Sequence, residues 1–150
     1  MPHYQRYILV DERKLSLPVL LEGLREADPA WSLEGLKPGP PETAELRYAG
    51  ERYALLELNL PGEDVCKDEL RELEEIAENS PGPKQAVVLH AIEKARALIA
   101  AEVVWADRER EETLLVLDRV WAWLLSHRRG LVHEDGEGFS DSTGLILAIR

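Results

Sequence analysis

Apolar residues in this chain fall into short runs that alternate between the spacing of a strand and the spacing of a helix. Residues 4–10 form a continuous strand-like run. The next apolar residues follow the i, i+3, i+4, i+7 spacing of one helix face: Leu17, Leu20, Leu21 and Leu24. Ser16 has the residue type of a helix N-cap, and Asp28 followed by Pro29 is expected to end the helix.

Strand-like runs and a second helix follow. Residues 31–36 are predicted as a short strand, and residues 44–49 and 52–58 as a hairpin around Gly50. The next helix carries one apolar face, formed by Cys66, Leu70, Leu73, Ile76 and Ala77. Residues 79–83 contain two prolines and a glycine and are expected to end this helix.

The segment 84–105 admits two interpretations. Residues 85–96 favour a helix, and residues 97–105 favour a buried strand because β-branched residues gather at their end. One long helix over the whole segment is the competing interpretation, which the alanines favour. We take the helix followed by a strand, because that choice repeats the strand–helix–hairpin order of the first part of the chain.

A last helix is predicted after Asp107, which has the residue type of an N-cap, and Gly130 is expected to supply a left-handed stop. Its apolar residues form two stripes, so the helix is packed on two sides. The second side contacts either another helix or a partner subunit, and the latter would make the protein a homodimer. Residues 131–134 and 144–149 are predicted as strands joined by an acidic loop.

The order of elements therefore reads as a βαββ unit written twice. The sequence predicts a single α+β domain over residues 1–150, with a mainly antiparallel sheet and helices mainly on one face. A ferredoxin-like βαββαβ order over residues 4 to about 105, with αββ appended, uses the same elements. The two copies differ most at one place, where the tight turn of the first copy corresponds to residues 133–141 in the second.

Negative charge is concentrated in two segments of a chain whose net charge is −11. Residues 63–78 contain eight acidic and two basic residues, and residues 133–141 contain four acidic residues and no Lys or Arg. This balance argues against binding to nucleic acid or to an anionic membrane surface, since both require a basic face. It favours a basic protein partner.

The remaining composition indicates a cellular location and a type of source organism, but no reaction. One cysteine, Cys66, makes no internal disulfide, and no signal peptide is visible, so a cytoplasmic location is expected. Arg outnumbers Lys by 13 to 5, and Asn and Gln together number four. This bias is typical of a bacterial thermophile, and a GC-rich genome produces a similar one.

The best candidate site is the segment 133–141, with Trp123 as a candidate partner-facing residue because it lies off the main apolar stripe. The candidate binding side chains of the segment are His133, Glu134, Asp135, Glu137 and Asp141. Gly136 and Gly138 let backbone approach closely. Three of the acids resemble the start of a calcium loop, but Phe139 occupies a ligand position and no glutamate follows at the twelfth.

No motif of a catalytic family is present, and the sequence predicts no cofactor, no bound metal and no catalytic residue. We therefore expect a non-enzymatic protein-binding module whose acidic helix and acidic hairpin meet a basic partner. The alternative is a small metal-dependent or acid/base enzyme that uses His133, Asp135, Glu137 and Asp141.

Overall fold

A central strand of residues 4–9 organises the computed structural model, which describes residues 2–149. The elements in chain order are β1 (Tyr4–Leu9), α1 (Leu17–Ala27), β2 (Trp31–Lys37), β3 (Glu42–Tyr48), β4 (Glu51–Asn59), α2 (Asp64–Glu78), α3 (Gln85–Glu93), β5 (Ala97–Val103), α4 (Arg110–His127), β6 (Gly130–Glu134), β7 (Gly138–Asp141) and β8 (Gly144–Ala148). The strands form one antiparallel sheet in the order β2-β3-β4-β5-β1-β6-β7-β8. The predicted α+β class and antiparallel sheet are confirmed, whereas a ferredoxin-like arrangement is not.

Both faces of the sheet carry helices. Along β1, Tyr7 and Leu9 belong to the core under α1 and α4, whereas Ile8 belongs to the core under α2 and α3. The expectation that helices lie mainly on one face is therefore wrong. Strand β5 illustrates this packing on two faces. Six of its seven residues are buried, as expected for a strand that is covered on both sides and whose sequence is a nearly continuous apolar run.

The doubled order of elements is real, but the two copies are assembled differently. Each copy has one more strand than the predicted βαββ unit, because β1-α1-β2-β3-β4 and β5-α4-β6-β7-β8 repeat the same order with α2 and α3 between them. In the first copy the last strand, β4, pairs with β5. In the second copy the first hairpin strand, β6, pairs with β1. The order of elements is therefore repeated along the chain, but the two copies are not related by symmetry in the fold.

Several local predictions are confirmed. The hydroxyl oxygen of Ser16 accepts the Val19 N–H at 3.2 Å, and Asp28 lies just past the end of α1 in an extended conformation. Helix α3 and strand β5 settle the ambiguous segment as a helix followed by a strand. The second apolar stripe of α4 packs within the molecule, with Trp123 against Gly23 of α1.

Two predicted boundaries at α4 are wrong. The residue before the helix is Glu109, not Asp107, and its side chain makes no capping hydrogen bond. Gly130 begins β6 and has no left-handed backbone. It is required for a different reason, since a Cβ there would overlap the Ile8 carbonyl oxygen and would lie 2.6 Å from the Tyr7 ring.

The two edges of the sheet differ in character. Strand β2 carries Glu34 and Lys37, a register irregularity between them, and Gly35 with a φ of 65°. Charges and irregularities of this kind discourage pairing with another chain. Strand β8 has the sequence GLILA, without a charge, and Leu145 is 55% exposed.

The described part of the chain, residues 2–149, contains no helix with the length and apolar character needed to cross a membrane.

The pairing of β7 with β8 predicts a large cost for one glycine substitution. Gly138 has a φ of 136°, and a Cβ there would overlap the Leu147 carbonyl oxygen. We expect Gly138→Ala to lower the free energy of unfolding by roughly 2–4 kcal/mol, measured by urea denaturation.

Gly136 provides the matched control, because its φ is 78° and a Cβ added there would have no neighbour within 4 Å. Asparagine tolerates that backbone, so we expect Gly136→Asn to cost less than about 1 kcal/mol. Equal losses in the two variants would contradict the assignment of Gly138 to a close backbone contact.

Candidate functional site

The predicted acidic loop at residues 133–141 is a tight hairpin in the structure. His133 and Glu134 end β6, the turn centres on Gly136, and β7 begins at Gly138. The expectation of one open loop between residues 134 and 144 is therefore wrong, because it contains an additional strand. Successive residues of a strand point to opposite faces, so the candidate side chains are separated rather than gathered.

His133 and Asp135 meet at the guanidinium of Arg6. The Arg6 Nη1 donates to Asp135 Oδ1 at 2.8 Å and lies 3.4 Å from His133 Nδ1. Asp135 also accepts the Tyr4 N–H at 2.9 Å. From α2, Glu69 Oε2 lies 3.8 Å from Arg6 Nε. Arg6 thus joins β1, the hairpin turn and α2 in one polar cluster, which we call the Arg6 cluster: Arg6, Glu69, His133 and Asp135.

The Arg6 cluster fixes the tautomer of His133. A guanidinium only donates hydrogen bonds, so Nδ1 of His133 must accept, and a neutral ring then carries its hydrogen on Nε2. That Nε2 is buried without a hydrogen-bond partner in the described part of the chain. Burial, together with the charge of Arg6, lowers the pKa of His133 to about 4. His133 is only 1% exposed and packs against Phe139 with ring centroids 4.8 Å apart.

The two carboxyl groups of the cluster are shifted in opposite directions. Burial raises the pKa of Glu69, and the charge of Arg6 only partly offsets this. Burial also acts to raise the pKa of Asp135, but hydrogen bonds from Arg6 and the Tyr4 N–H outweigh it and hold the pKa below its ordinary value. Asp135 is therefore the anion that balances Arg6, and the cluster serves to fasten α2 to the sheet.

The other candidate residues lie apart from this cluster. Glu134 Oε2 lies 2.8 Å from His3 Nε2. Its negative charge adds to the effect of burial in raising the pKa of Asp118 on α4, on the other face of the sheet. Glu137 is exposed at the turn. Asp141 lies at the far end of β7, where its Oδ1 accepts the Thr143 N–H at 2.8 Å. The segment therefore supplies structural contacts and one exposed carboxylate.

Trp123 also has contacts within the molecule. Its ring covers Gly23 of α1 and stacks on His127, with centroids 4.6 Å apart and planes at 14°. It is partly exposed.

Across residues 2–149, no group of three or more His, Cys, Asp or Glu side chains has an arrangement that holds a metal ion. The three main surface cavities of this part of the chain also have no residue of 133–141 in their walls. Cys66 is fully buried on α2, as its place in the apolar face predicts, and burial raises the pKa of its thiol to about 11. This thiol is poorly suited to act as a nucleophile.

A different surface gathers unpaired carboxylates. Helices α2 and α3 pack on residues of β5, β1, β6, β7 and β8, and the same face of β2, β3 and β4 contributes nothing to that core. An open groove of about 490 Å³ runs over this bare area. We call it the acidic groove, defined by Glu34, Glu45, Leu55, Glu57 and Glu102.

The charges in the acidic groove are only partly balanced. Arg47 lies 2.8 Å from Glu45 and 3.4 Å from Glu34, so these two acids have a shared cation. Glu57 and Glu102 have no ion pair with any residue of the described chain. Glu102 accepts a hydrogen bond from the Tyr4 hydroxyl at 3.1 Å, which leaves its charge in place. One cation, Lys37, also lines the groove.

The acidic helix borders this groove. Glu69 of α2 lies 3.8 Å from Arg6, and the Arg6 guanidinium lies 5.1 Å from the ring centre of Tyr4, which lines the groove. The outer face of α2 is exposed and mostly acidic, with Asp64, Asp68, Glu72, Glu74, Glu75 and Glu78 among its residues. The groove and the outer face of α2 are thus two negative surfaces, and the α2 side chain that lies nearest the groove is the half-buried Glu69.

Sequence reasoning missed the groove, although part of its signal was visible. Glu45 and Glu57 alternate with buried residues such as Leu46 and Leu56, which marks one polar face on β3 and β4. The alternation does not reveal that no helix covers that face, since this depends on where α2 and α3 settle.

Comparison of the chain with protein-family models, with curated proteins and with solved structures found no match.

The buried His133 predicts a specific pH dependence of stability. Its pKa is lower in the folded protein than the ordinary value near 6.5, so the unfolded chain binds the proton more readily. The contribution of the neutral, buried His133 ring to the free energy of unfolding is therefore complete above about pH 6.5 and is lost as the pH falls toward about 4. We expect the wild-type protein to lose about 2–3 kcal/mol more than His133→Gln between about pH 7 and about pH 4.5.

Urea unfolding of both proteins at several pH values measures this difference. Glu69, whose raised pKa acts in the opposite direction, is present in both proteins and cancels in the comparison. Parallel stability curves for the two proteins would contradict the burial of a neutral His133.

Proposed function

We propose that this chain is a non-enzymatic protein-binding module that takes a basic segment of another protein into the acidic groove and along the outer face of α2. The observation that supports this proposal most directly is the pair of unpaired carboxylates, Glu57 and Glu102, on a sheet face that no helix covers.

Each part of the groove suits such a partner. Glu57 and Glu102 are partly buried, so an Arg or Lys that reaches them binds in surroundings less screened than open solvent. Leu55 lies in the same floor and is 42% exposed, which offers an apolar contact beside the charges. An interface of this kind combines a desolvated centre with a charged rim.

The outer face of α2 extends the negative surface beyond the groove. Residues 63–78 carry eight acidic and two basic residues, so the field around this helix attracts a cationic partner before contact. Long-range attraction of this type speeds association and weakens with salt. The bound segment is accordingly expected to be rich in Arg and Lys, with one apolar side chain for Leu55.

The acid/base or metal-dependent alternative has less support. It requires His133, Asp135, Glu137 and Asp141 to act together, yet His133 is buried, Asp135 is held by Arg6 and Asp141 is held by Thr143. We also propose a cytoplasmic location, supported by the single, reduced and buried Cys66.

The acidic groove can be tested with a short oligo-arginine peptide that contains one leucine. The variant Glu57→Gln/Glu102→Gln removes two charges and keeps a hydrogen-bond acceptor for the Tyr4 hydroxyl. We expect it to bind the peptide about ten-fold more weakly than the wild-type protein, measured by fluorescence anisotropy at low salt.

Glu22→Gln/Glu26→Gln makes the same change of charge on the exposed side of α1, which belongs to the opposite layer. We expect less than about a two-fold effect in this control, and weaker binding of all proteins at high salt. Equal weakening in the two variants, or affinity that does not depend on salt, would refute a specific groove.

A further inference from the structure

The largest of the described cavities lies at the end of the sheet where β1 and β4 finish and β5 begins, and it shares no lining residue with the acidic groove. Its volume is about 860 Å³, within the range of roughly 300–1,000 Å³ that is typical of small-molecule sites. The connection from β1 to α1 borders it on one side, and the loop at residues 38–40 borders it on another. We call it the end cavity.

The inner wall of the end cavity is apolar. Leu9, Leu15, Leu58 and Ala97 line it from the core under α1 and α4, and each is at most 7% exposed. Leu60 lies in the same wall and is 45% exposed, so it offers apolar surface directly to an occupant. A ligand with an apolar body therefore gains from entering.

Most of the carboxylates in the wall are already engaged by the protein. Asp11 pairs with Arg13 at 3.1 Å and accepts the Arg129 N–H at 3.3 Å. Glu42 accepts the Leu17 N–H at 2.8 Å, at the first residue of α1. A third carboxylate, Glu12, lies 3.8 Å from Arg96.

Two cations in the wall remain free. Lys14 and Lys94 are exposed, line the cavity from different segments, and have no ion pair with any residue of the described chain. Glu93 is the remaining wall carboxylate and also lacks a pair there. The wall as a whole is formally neutral, with four acidic residues (Asp11, Glu12, Glu42, Glu93) and four basic residues (Arg13, Lys14, Lys94, Arg96), so Lys14 and Lys94 are unpaired cations rather than a net positive charge.

From this combination of volume, apolar wall and free lysines, we propose that the end cavity binds a small organic anion with an apolar body and a single anionic head. The body lies against Leu60 and the leucines of the inner wall, and the head lies among Lys14 and Lys94. The two unpaired lysines supply partners for an anionic head here, whereas the acidic groove offers unpaired carboxylates to a cation. The two proposals rest on different residues and stand independently.

The test uses two fluorescent probes of nearly the same shape. Anilinonaphthalene sulfonate carries one negative charge, and N-phenylnaphthylamine is its neutral counterpart. We expect saturable binding of the sulfonate that is at least ten-fold tighter than binding of the amine, and displacement of the sulfonate by octanoate.

Charge reversal provides the decisive comparison. Lys14→Glu/Lys94→Glu is expected to weaken sulfonate binding at least ten-fold and to leave binding of the neutral amine within two-fold. The control Lys67→Glu/Lys84→Glu makes the same change of net charge on exposed residues outside the end cavity, and we expect at most a two-fold effect. Circular dichroism and thermal unfolding verify that both variants are folded.

Three results would overturn the proposal: no saturable binding of the sulfonate, equal affinity for the two probes, or equal weakening in the two charge-reversal variants. A titration with the oligo-arginine peptide in the presence of octanoate separates the sites. Octanoate is expected to displace the sulfonate and to leave the peptide bound, so loss of one activity does not imply loss of the other.

Discussion

The structure depends on burial of the central strand from both sides. In β1, Tyr7 is buried beneath one pair of helices and Ile8 beneath the other, so both layers are held to the same strand. Each face has only two helices for an eight-stranded sheet, and the pairs are offset. The core under α1 and α4 reaches β2, whereas the core under α2 and α3 reaches β8. The bare sheet of the acidic groove follows from this offset.

Some polar side chains in this protein pair with one another and connect its elements, whereas others lie at the surface without a partner. Arg6 and Asp135 hold the hairpin and α2 to the sheet, and Asp11 secures the start of the connection to α1. Glu57 of β4 and Glu102 of β5 make no ion pair within the described residues, and both line the acidic groove. The free lysines gather at the end of the sheet. The molecule therefore presents unpaired carboxylates in one place and unpaired lysines in another, although its total charge is strongly negative.

Local patterns were sufficient to predict most of the helices and strands. The leucine spacing and Ser16 define α1, whereas composition alone does not separate α3 from β5, and their boundary is predicted from the repeated order of elements. Strand β7 was missed because its four residues, GFSD, have low strand propensity and depend on pairing with both β6 and β8. His133 lies in the predicted strand 131–134, and its two-residue spacing from the buried Leu131 indicates that it shares the buried face of that strand rather than an open binding site. The groove required knowledge of which face each helix covers, and no local pattern contains it.

The pairing of β1 also governs the order in which the protein can fold during synthesis. Ile8 lies opposite Leu98 on one side and Leu131 on the other, so β1 is synthesised well before both of the strands with which it pairs. The β2-β3-β4 meander forms from neighbouring residues, whereas the centre of the sheet closes only at the end. Long-range pairing of this kind slows folding, and the apolar β1 remains exposed to other nascent chains meanwhile. The strand that joins both helix layers in the native state is thus also one that lacks its partners until most of the chain has been synthesised.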